Sequence, residues 1–443
     1  MELGIIVGLI LFFVGIIIGL PLCWVFLGSS AVALLLIDQP LSFMAGTTYH
    51  AIDSYVLMAI AFFIFAGNMM SVSGIADRLT RFAYALVGRI RGGLVDVGII
   101  ATVFMGALTG SSLPCIAALI PILVPRLEKL GYARSYITAV LCSSSFLGYL
   151  IPPSVPALIY CLVAQQSVAA VFLSTVFPGL LLAGGYMLVN TLIVKGYMHT
   201  TKDVPELPET FGETVKEIGG AGWAALPALG CPIVVLVGIY GGICTPNEAG
   251  AVAVVYTAIV GLFMYREMNL KSLWGSAQTT LTTLGMIALL LGFGTVFTRL
   301  LIREGVGQAM TDIVIGFSQN KYVILALMNI LLLFFGMFID GIPILIIVVP
   351  LILPLVTEID VNLVQLGAIV IVNVGLGVVT PPYAISIFVG SRLAEVPYID
   401  LVKPMVIFLL LVGIPVLLLT TYVPALSLWL PTLALGPKIV GAW

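Results

Sequence analysis

Charge is scarce in this chain of 443 residues, of which 9% are Asp, Glu, Lys or Arg and two are His. So few charges, with a net charge of -2, exclude the basic patch on which nucleic-acid binding depends. His50 and His199 fall in separate loops, which argues against a zinc enzyme. The six cysteines contain no Cys-x-x-Cys pair, so neither a disulfide framework nor a cysteine metal site is expected.

Apolar residues make up 61% of the sequence, and the mean hydropathy is +1.22. That composition is typical of a polytopic membrane protein, whose helices face lipid or one another. The first apolar stretch follows Glu2 instead of a basic segment, and no small-residue cleavage site comes after it. We therefore expect a retained first span and not a removable signal peptide.

Proline positions reveal an internal repeat. Gly148 recurs as Gly377 at a shift of 229 positions, and five prolines recur at the same shift. The proline pairs are Pro114 and Pro343, Pro121 and Pro350, Pro125 and Pro354, Pro152 and Pro381, and Pro153 and Pro382. Helix breakers at corresponding places of two apolar halves indicate a repeat of the kind that secondary transporters use to build a binding site.

Two kinds of interrupted apolar run occur in each half. The runs at 93–125 and 322–356 are long enough for two passes and break midway, which predicts two re-entrant helical hairpins. The runs at 135–165 and 362–394 contain the double prolines. Because proline removes an amide donor and clashes with the preceding turn, these runs predict discontinuous helices.

We therefore predict an all-α polytopic membrane protein of two inverted repeats, each with five crossings and one re-entrant helical hairpin. The first repeat spans 1–194 and the second spans 223–425, with a cytoplasmic linker at 195–222 and a C-terminal tail at 426–443. The hairpins are placed at 92–126 and 321–357, and the broken helices at 135–165 and 362–395.

The distribution of Lys and Arg predicts the orientation, because these residues collect in cytoplasmic loops. Basic residues flank the first hairpin on both sides, so the chain should enter and leave this hairpin on the cytoplasmic face. Every basic residue then falls inside except Arg299, Arg303, Lys321 and Lys438. An odd number of crossings in each half inverts the second repeat and places both termini in the periplasm.

The breaks are predicted to bind ions. Unwound backbone in hydrocarbon costs several kcal/mol per free polar group, so it persists where protein or a wet cavity covers it. Thr109, Ser111 and Ser112 offer hydroxyl oxygens at the first tip, and Asp340 offers a carboxylate at the second. Oxygen donors beside helix ends suit Na+ together with an anionic substrate. Capping remains the alternative role for Asp340, as does close helix packing for the serines.

Four segments together carry a resemblance to a known family. They are 110–112 (GSS), 150–154 (LIPPS), 242–256 (GICTPNEAGAVAVVY) and 377–382 (GVVTPP). With them the chain resembles the large membrane subunit of tripartite ATP-independent periplasmic (TRAP) transporters over nearly its full length. The resemblance implies an elevator-type fold of the ion transporter superfamily, Na+ as the coupling ion, a periplasmic substrate-binding protein and a separate small four-helix membrane subunit, since no such module precedes residue 1.

The resemblance also implies site residues. It assigns one Na+ site to Thr109, Ser111, Gly148, Ile151 and Pro153, and a second to Asp340, Gly377 and Thr380. Substrate contacts are expected from Gly110, Ser112, Ser144, Gly341 and Pro382. Glu248, within the 242–256 segment, is expected to cap a helix and not to bind a ligand.

The expected function is Na+-coupled uptake of a carboxylate-bearing organic acid, such as a dicarboxylate or a sialic acid, across the bacterial inner membrane. A stand-alone Na+/carboxylate symporter of the same superfold is the alternative, and a channel also uses re-entrant hairpins. An intramembrane aspartyl protease would pair Asp340 with Asp53, but Asp53 lies at a span boundary and no Gly-x-Gly-Asp surrounds Asp340. We therefore expect a transporter and not an enzyme.

Overall fold

The computed structural model describes residues 3–88, 93–198 and 211–441, apart from the side chains of 211–215 and 217. The described residues form helices joined by short turns, so the all-α prediction is confirmed. Within these ranges, six helices are long and apolar enough to cross a membrane, or eight if each of two bent helix pairs is one span.

In the first half the described residues form eleven α-helices, with the hairpin and the broken helix near its centre. These are α1 (Leu3–Ile18), α2 (Leu22–Leu36), α3 (Ser42–Ile52), α4 (Tyr55–Ser71), α5 (Ile75–Val87), α6 (Gly93–Thr109), α7 (Ser112–Lys129), α8 (Arg134–Ser144), α9 (Leu147–Leu150), α10 (Val155–Ala164) and α11 (Val168–Ile193).

The second half follows the same order of elements. It contains α12 (Phe211–Tyr240), α13 (Pro246–Ile259), α14 (Leu270–Arg303), α15 (Val306–Phe317), α16 (Lys321–Gly336), α17 (Gly341–Glu358), α18 (Leu363–Gly377), α19 (Ile385–Ala394), α20 (Tyr398–Phe408), α21 (Ile414–Tyr422), α22 (Pro424–Leu435) and α23 (Pro437–Val440). π-helical turns extend α13 to residue 264 and join α20 to α21.

The helix bounds repeat at the shift seen in the prolines. Helix α7 runs from residue 112 to 129 and α17 from 341 to 358, so both bounds differ by 229. The pairs α6 with α7 and α16 with α17 are antiparallel neighbours joined at residues 110–111 and 337–340, as expected for hairpins. The double prolines lie in the breaks that precede α10 and α19, and in both the Pro–Pro peptide bond is cis.

The two halves differ in the helices that face the hairpin tips, α4 in the first half and α14 in the second, which we call the frame. Helix α14 is continuous over 34 residues, about 51 Å at 1.5 Å per residue. The corresponding part of the first half is split into α3 and α4, which meet at 55°. Asp53 and Ser54 occupy the break, and the Ser54 hydroxyl caps α4 by accepting from the Val56 amide.

Glycine lets each hairpin approach its broken helix closely. A Cβ atom added to Gly106 would lie 2.6 Å from the Cα of Gly148, and one added to Gly377 would lie 2.6 Å from the Cα of Gly336. Backbone therefore packs directly on backbone at both crossings. The amphipathic helices α5 and α15 support the hairpins by packing against α6 and α17.

Two segments differ from the predicted domain plan. Residues 211–222 of the expected linker belong to α12, which runs on into the crossing because no proline interrupts it before Pro227. Residues 199–210 lie outside the described residues. The expected tail contains most of α22, whose Trp429 ring stands 5.5 Å from the Phe177 ring of α11. An apolar segment next to α11 gains more from packing than from solvent exposure.

Residues 245–250 confirm the structural role expected for Glu248. The Thr245 backbone amide donates to the Glu248 carboxylate at 2.7 Å, and the Glu248 amide donates to the Thr245 hydroxyl at 3.4 Å. This reciprocal capping box satisfies two amides at the start of α13. Glu248 is thus occupied in holding the helix start.

The close crossing of α16 and α18 predicts a matched pair of substitutions. Gly377→Ala places a methyl group against the Gly336 backbone, and overpacking of this kind costs about 1–3 kcal/mol. Gly184→Ala in α11 has no heavy atom within 4 Å of the new Cβ and should leave stability unchanged or slightly higher. We expect Gly377→Ala to lower the thermal unfolding midpoint of the purified chain below that of Gly184→Ala; equal midpoints would contradict the close crossing.

Candidate functional site

The first hairpin tip is built on a glycine turn. Gly110 follows the last residue of α6 with φ of +61°, and its carbonyl accepts from the Val155 amide at 3.1 Å. A Cβ atom on Gly110 would lie 2.4 Å from the carbonyl oxygen of Pro153. Backbone conformation and space thus both require glycine here. The turn lays the tip against the double-proline break.

Four of the predicted Na+-binding residues lie close together at this tip. The Thr109 hydroxyl lies 3.0 Å from the Met105 carbonyl and 3.2 Å from the Ser111 carbonyl. The Ser111 carbonyl faces Gly148, whose added Cβ would be 2.7 Å from it. The structure therefore brings Thr109, Ser111, Gly148 and Pro153 together from α6, the tip and the broken helix.

Ile151 lies at the far side of the same break. Its amide donates to the Leu147 carbonyl at 3.0 Å, which closes the short helix α9. Its side chain packs towards α11, where it would lie 2.9 Å from a Cβ on Gly179. The Ile151 side chain thus anchors the break to α11.

The second tip brings Asp340 to the start of α17. As the N-cap residue of this helix it accepts no hydrogen bond from an amide further along the first turn, but its carboxylate lies within hydrogen-bonding range of the Gly341 amide. Gly341 packs on α18, where an added Cβ would lie 2.3 Å from the Val374 side chain. Thr380 is buried, and its hydroxyl donates to the Leu376 carbonyl at 2.6 Å. Gly341 and Thr380 thus both contact residues of α18.

Tyr149 links the two tips. The Ser112 hydroxyl donates to the Tyr149 hydroxyl at 3.1 Å, and the Tyr149 hydroxyl lies within electrostatic range of the Asp340 carboxylate. The two broken helices also meet directly, because the hydroxyls of Ser145 and Ser386 are 3.4 Å apart. Residues of both halves thus share one buried polar region between the tips.

Two predicted substrate residues lie elsewhere. Ser144 is buried, with its hydroxyl 3.3 Å from the Leu141 carbonyl one turn earlier in α8. Pro382 is exposed, and its carbonyl accepts from the Tyr398 hydroxyl at 2.6 Å. These contacts tie both residues to their own surroundings.

A cavity of about 590 Å³, the tip cavity, opens between the first tip and the frame helices α4 and α14. The tips and broken helices contribute Thr109, Ser111, Leu113, Val155, Ile342 and Val389. The frame contributes Ile64, Gly67, Asn68, Ser71, Thr279, Thr283 and Ile287. Its lining residues, within the described part of the chain, include no charged side chain. The tip cavity is large enough for a small organic molecule.

Sequence reasoning missed the polar residues of the frame. The Asn68 amide donates to the Thr280 hydroxyl at 2.9 Å and so joins α4 to α14 beside the tip cavity. The sequence did contain a signal, because Asn68 is polar within an apolar run and residues 278–283 (QTTLTT) are a polar interruption in the later apolar run at 274–298. The spacing of these residues in the chain, 212 positions, hid their proximity.

Asp96 is a buried acid in the first turn of α6 that the sequence analysis did not single out. Its carboxylate accepts from the Asn190 amide at 2.7 Å, and the Asn190 oxygen accepts from the Tyr136 hydroxyl at 2.6 Å. The three residues tie α6, α8 and α11 together away from the tips. Full pairing of this kind fits a structural role for a buried polar network.

Comparison with known proteins agrees with this architecture. Residues 9–426 match the family described as tripartite ATP-independent periplasmic transporter, DctM component. The C4-dicarboxylate TRAP transporter large permease protein DctM of Vibrio cholerae is 33% identical over 453 residues, covering 96% of each chain. The sialic acid TRAP transporter large permease protein SiaM of the same organism is 32% identical, covering 96% of this chain and 97% of that relative.

A solved structure shares the fold. The Alcanivorax borkumensis YdaH transporter superposes with a TM-score of 0.60 over 88% of each chain, at 16% sequence identity. Several relatives identified by sequence are named as transporter permeases and not as enzymes. Together with the match over residues 9–426, these findings show that the chain belongs to the DctM family, the large membrane subunits of TRAP transporters.

Proposed function

We propose that this chain carries a carboxylate-bearing organic acid into the bacterial cytoplasm by Na+-coupled symport. The convergence of Thr109, Ser111, Gly148 and Pro153 beside the tip cavity is the observation that carries the proposal. Relatives named for C4-dicarboxylates, sialic acid and 2,3-diketo-L-gulonate support an organic acid as the substrate class.

The neutral lining of the tip cavity supports a coupling cation. An anion placed beside the first tip faces hydroxyl, amide and apolar groups, and the described lining residues supply no positive charge. Desolvating a carboxylate there is costly without a compensating positive charge. Hydroxyl and carbonyl oxygens are ligands for hard cations, so Na+ held by Thr109 and Ser111, and near Asp340, would complete the anion site.

The membrane potential supplies energy for the proposed transport, because each Na+ carries a positive charge inward. Each net positive charge that moves inward yields about 2.3 kcal/mol per 100 mV of membrane potential. Several Na+ ions for each carboxylate therefore drive accumulation. Thr380 and Gly377 beside the second tip are assigned to the second Na+ site, as Asp340 is.

An elevator motion suits the position of the tip cavity between two groups of helices. Helices α4 and α14 form one wall and are joined by Asn68 and Thr280. The first tip, α10 and α19 form the other wall. They belong to what we call the hairpin group, which consists of the two hairpins (α6, α7, α16 and α17) and the two broken helices (α8–α10, α18 and α19). A rigid movement of the hairpin group past α4 and α14 would carry the bound substrate and ions across the membrane.

Two protein partners complete the proposed system. A periplasmic binding protein delivers the substrate, and a small four-helix membrane subunit completes the membrane part of the transporter. The chain covers 64% of the isethionate TRAP transporter permease protein DctMQ of Oleidesulfovibrio alaskensis, which leaves part of that relative unmatched. The proposed location is the bacterial inner membrane, and the distribution of Lys and Arg supports a periplasmic position for both termini.

Na+ coupling predicts two results in proteoliposomes that contain both partners and a Na+ gradient. Replacing Na+ by choline should abolish concentrative uptake, and Asp340→Asn should lower the apparent affinity for Na+ at least tenfold, because a charged ligand is lost. Radiolabelled succinate and sialic acid serve as the first test substrates.

Asp312→Asn is the matched control for Asp340. It removes the same charge from an exposed position on α15, where the carboxylate bonds to Gln308 at 3.4 Å. We expect its Na+ dependence to equal that of the parent. Uptake that continues in choline would overturn the coupling, and uptake without the binding protein would favour a stand-alone symporter.

The neutral lining predicts the effect of an added charge. Asn68→Asp keeps the size of the side chain but introduces a carboxylate on the frame wall of the tip cavity. Like-charge repulsion should raise the KM for an anionic substrate at least tenfold. Asn320→Asp, at an exposed cap of α16 that Asp fills equally well, should change nothing. Equal KM values for the two variants would place the substrate elsewhere.

A further inference from the structure

A second cavity, the distal cavity, has a volume of about 270 Å³ and lies between the same two groups of helices. Helix α14 of the frame supplies Thr295, Thr298 and Arg299, and α3 supplies His50. The hairpin group supplies Gln165 after α10 and Pro350 from α17. The distal cavity is therefore partly polar, whereas two other cavities, along α16 and α17, are lined by apolar residues.

The distal cavity follows the tip cavity along α14, because the tip cavity is lined up to Ile287 and the distal cavity from Leu291 onwards. On α14 the tip cavity is lined at Thr279 and Thr283, whereas the distal cavity is lined at Arg299. Sixteen residues of helix between Thr283 and Arg299 correspond to about 24 Å. The Thr298 hydroxyl donates to the Ile346 carbonyl at 3.2 Å and closes the contact between α14 and α17 on this side.

The two cavities also differ in charge. The tip cavity has no charged lining residue in the described ranges, whereas Arg299 and His50 both line the distal cavity. Arg299 is exposed and forms no ion pair with a carboxylate of the described residues, whereas Arg78 and Arg134 each do. Its planar fork of donors remains available and matches the geometry of a carboxylate.

We propose that the distal cavity is a carboxylate-binding site, which an organic acid occupies before it reaches the hairpin tips. The direction of transport, from this side towards the tip cavity, rests on the proposed function. Arg299 binds the carboxylate from the frame. From the hairpin group the Gln165 side-chain amide, which donates one hydrogen to the Leu162 carbonyl at 2.6 Å, supplies its second hydrogen. The bound anion thus bridges the two groups of helices that must move past each other.

Charge-selective cysteine labelling tests the electrostatic part without any transport. Ala51→Cys and Val163→Cys place reporter thiols on opposite walls of the distal cavity. Each is labelled in the purified full chain with a methanethiosulfonate that carries either a sulfonate or a trimethylammonium group, and the parent chain corrects for its six cysteines. We expect Arg299→Gln to lower the sulfonate-to-ammonium rate ratio about tenfold, since one nearby positive charge is removed.

Arg303→Gln is the control, because it removes the same charge one turn further along α14, where Arg303 bonds to Gln39. Its ratio should stay within twofold of the parent. Succinate at tens of millimolar, compared with chloride at equal ionic strength, should slow labelling in the parent but not in Arg299→Gln. An unchanged ratio in Arg299→Gln, or the absence of protection by succinate, would overturn the site.

Uptake kinetics supply the second readout. Arg299→Gln should raise the KM for the carboxylate at least tenfold, with the half-saturating Na+ concentration unchanged and with partial recovery in Arg299→Lys. Equal KM values for Arg299→Gln and Arg303→Gln would overturn the proposal. A failure of Na+ coupling alone would leave the labelling result standing, so the two proposals fail separately.

Discussion

The close approach of each hairpin tip to its broken helix is the constraint on which the rest of the structure depends. A break in a membrane helix exposes carbonyl and amide groups, and each costs several kcal/mol if lipid covers it. Gly106 against Gly148, and Gly336 against Gly377, bring backbone within contact distance of backbone, so protein covers the breaks instead. A side chain at these crossings would separate the surfaces and leave the freed carbonyls uncovered.

The same approach links the two halves of the chain. The first tip holds Ser112 against Tyr149, and Tyr149 in turn lies within electrostatic range of Asp340 at the second tip. The two broken helices also contact each other directly, through the hydroxyls of Ser145 and Ser386 at 3.4 Å. In the proposed mechanism the ions at the two tips therefore share one buried polar region and move together.

Local signals in the sequence were sufficient for the hairpins and broken helices. Gly110 and the double prolines interrupt apolar runs, and interruption is visible without knowledge of neighbours. The sequence predicted the tip residues of the tip cavity but not the opposite wall. Asn68 and Thr280 of that wall are 212 positions apart in the chain, and no local pattern pairs α4 with α14. Helix α3 was missed for a related reason: residues 42–52 are too short and too polar to indicate a span, and packing against α14 stabilises them.

The contrast between the two cavities bears on how coupling can be strict. An arginine in the tip cavity would bind a carboxylate with no ion present, and the substrate could then cross uncoupled. A cavity lined by Asn68, Thr279 and Thr283 provides no such charge, so in the proposed mechanism the anion site is complete once cations occupy the tips. In the proposed mechanism Arg299 attracts the anion from the distal cavity, because α14 would stay in place while the hairpins move with the substrate. Attraction and coupling are thereby assigned to separate places along α14.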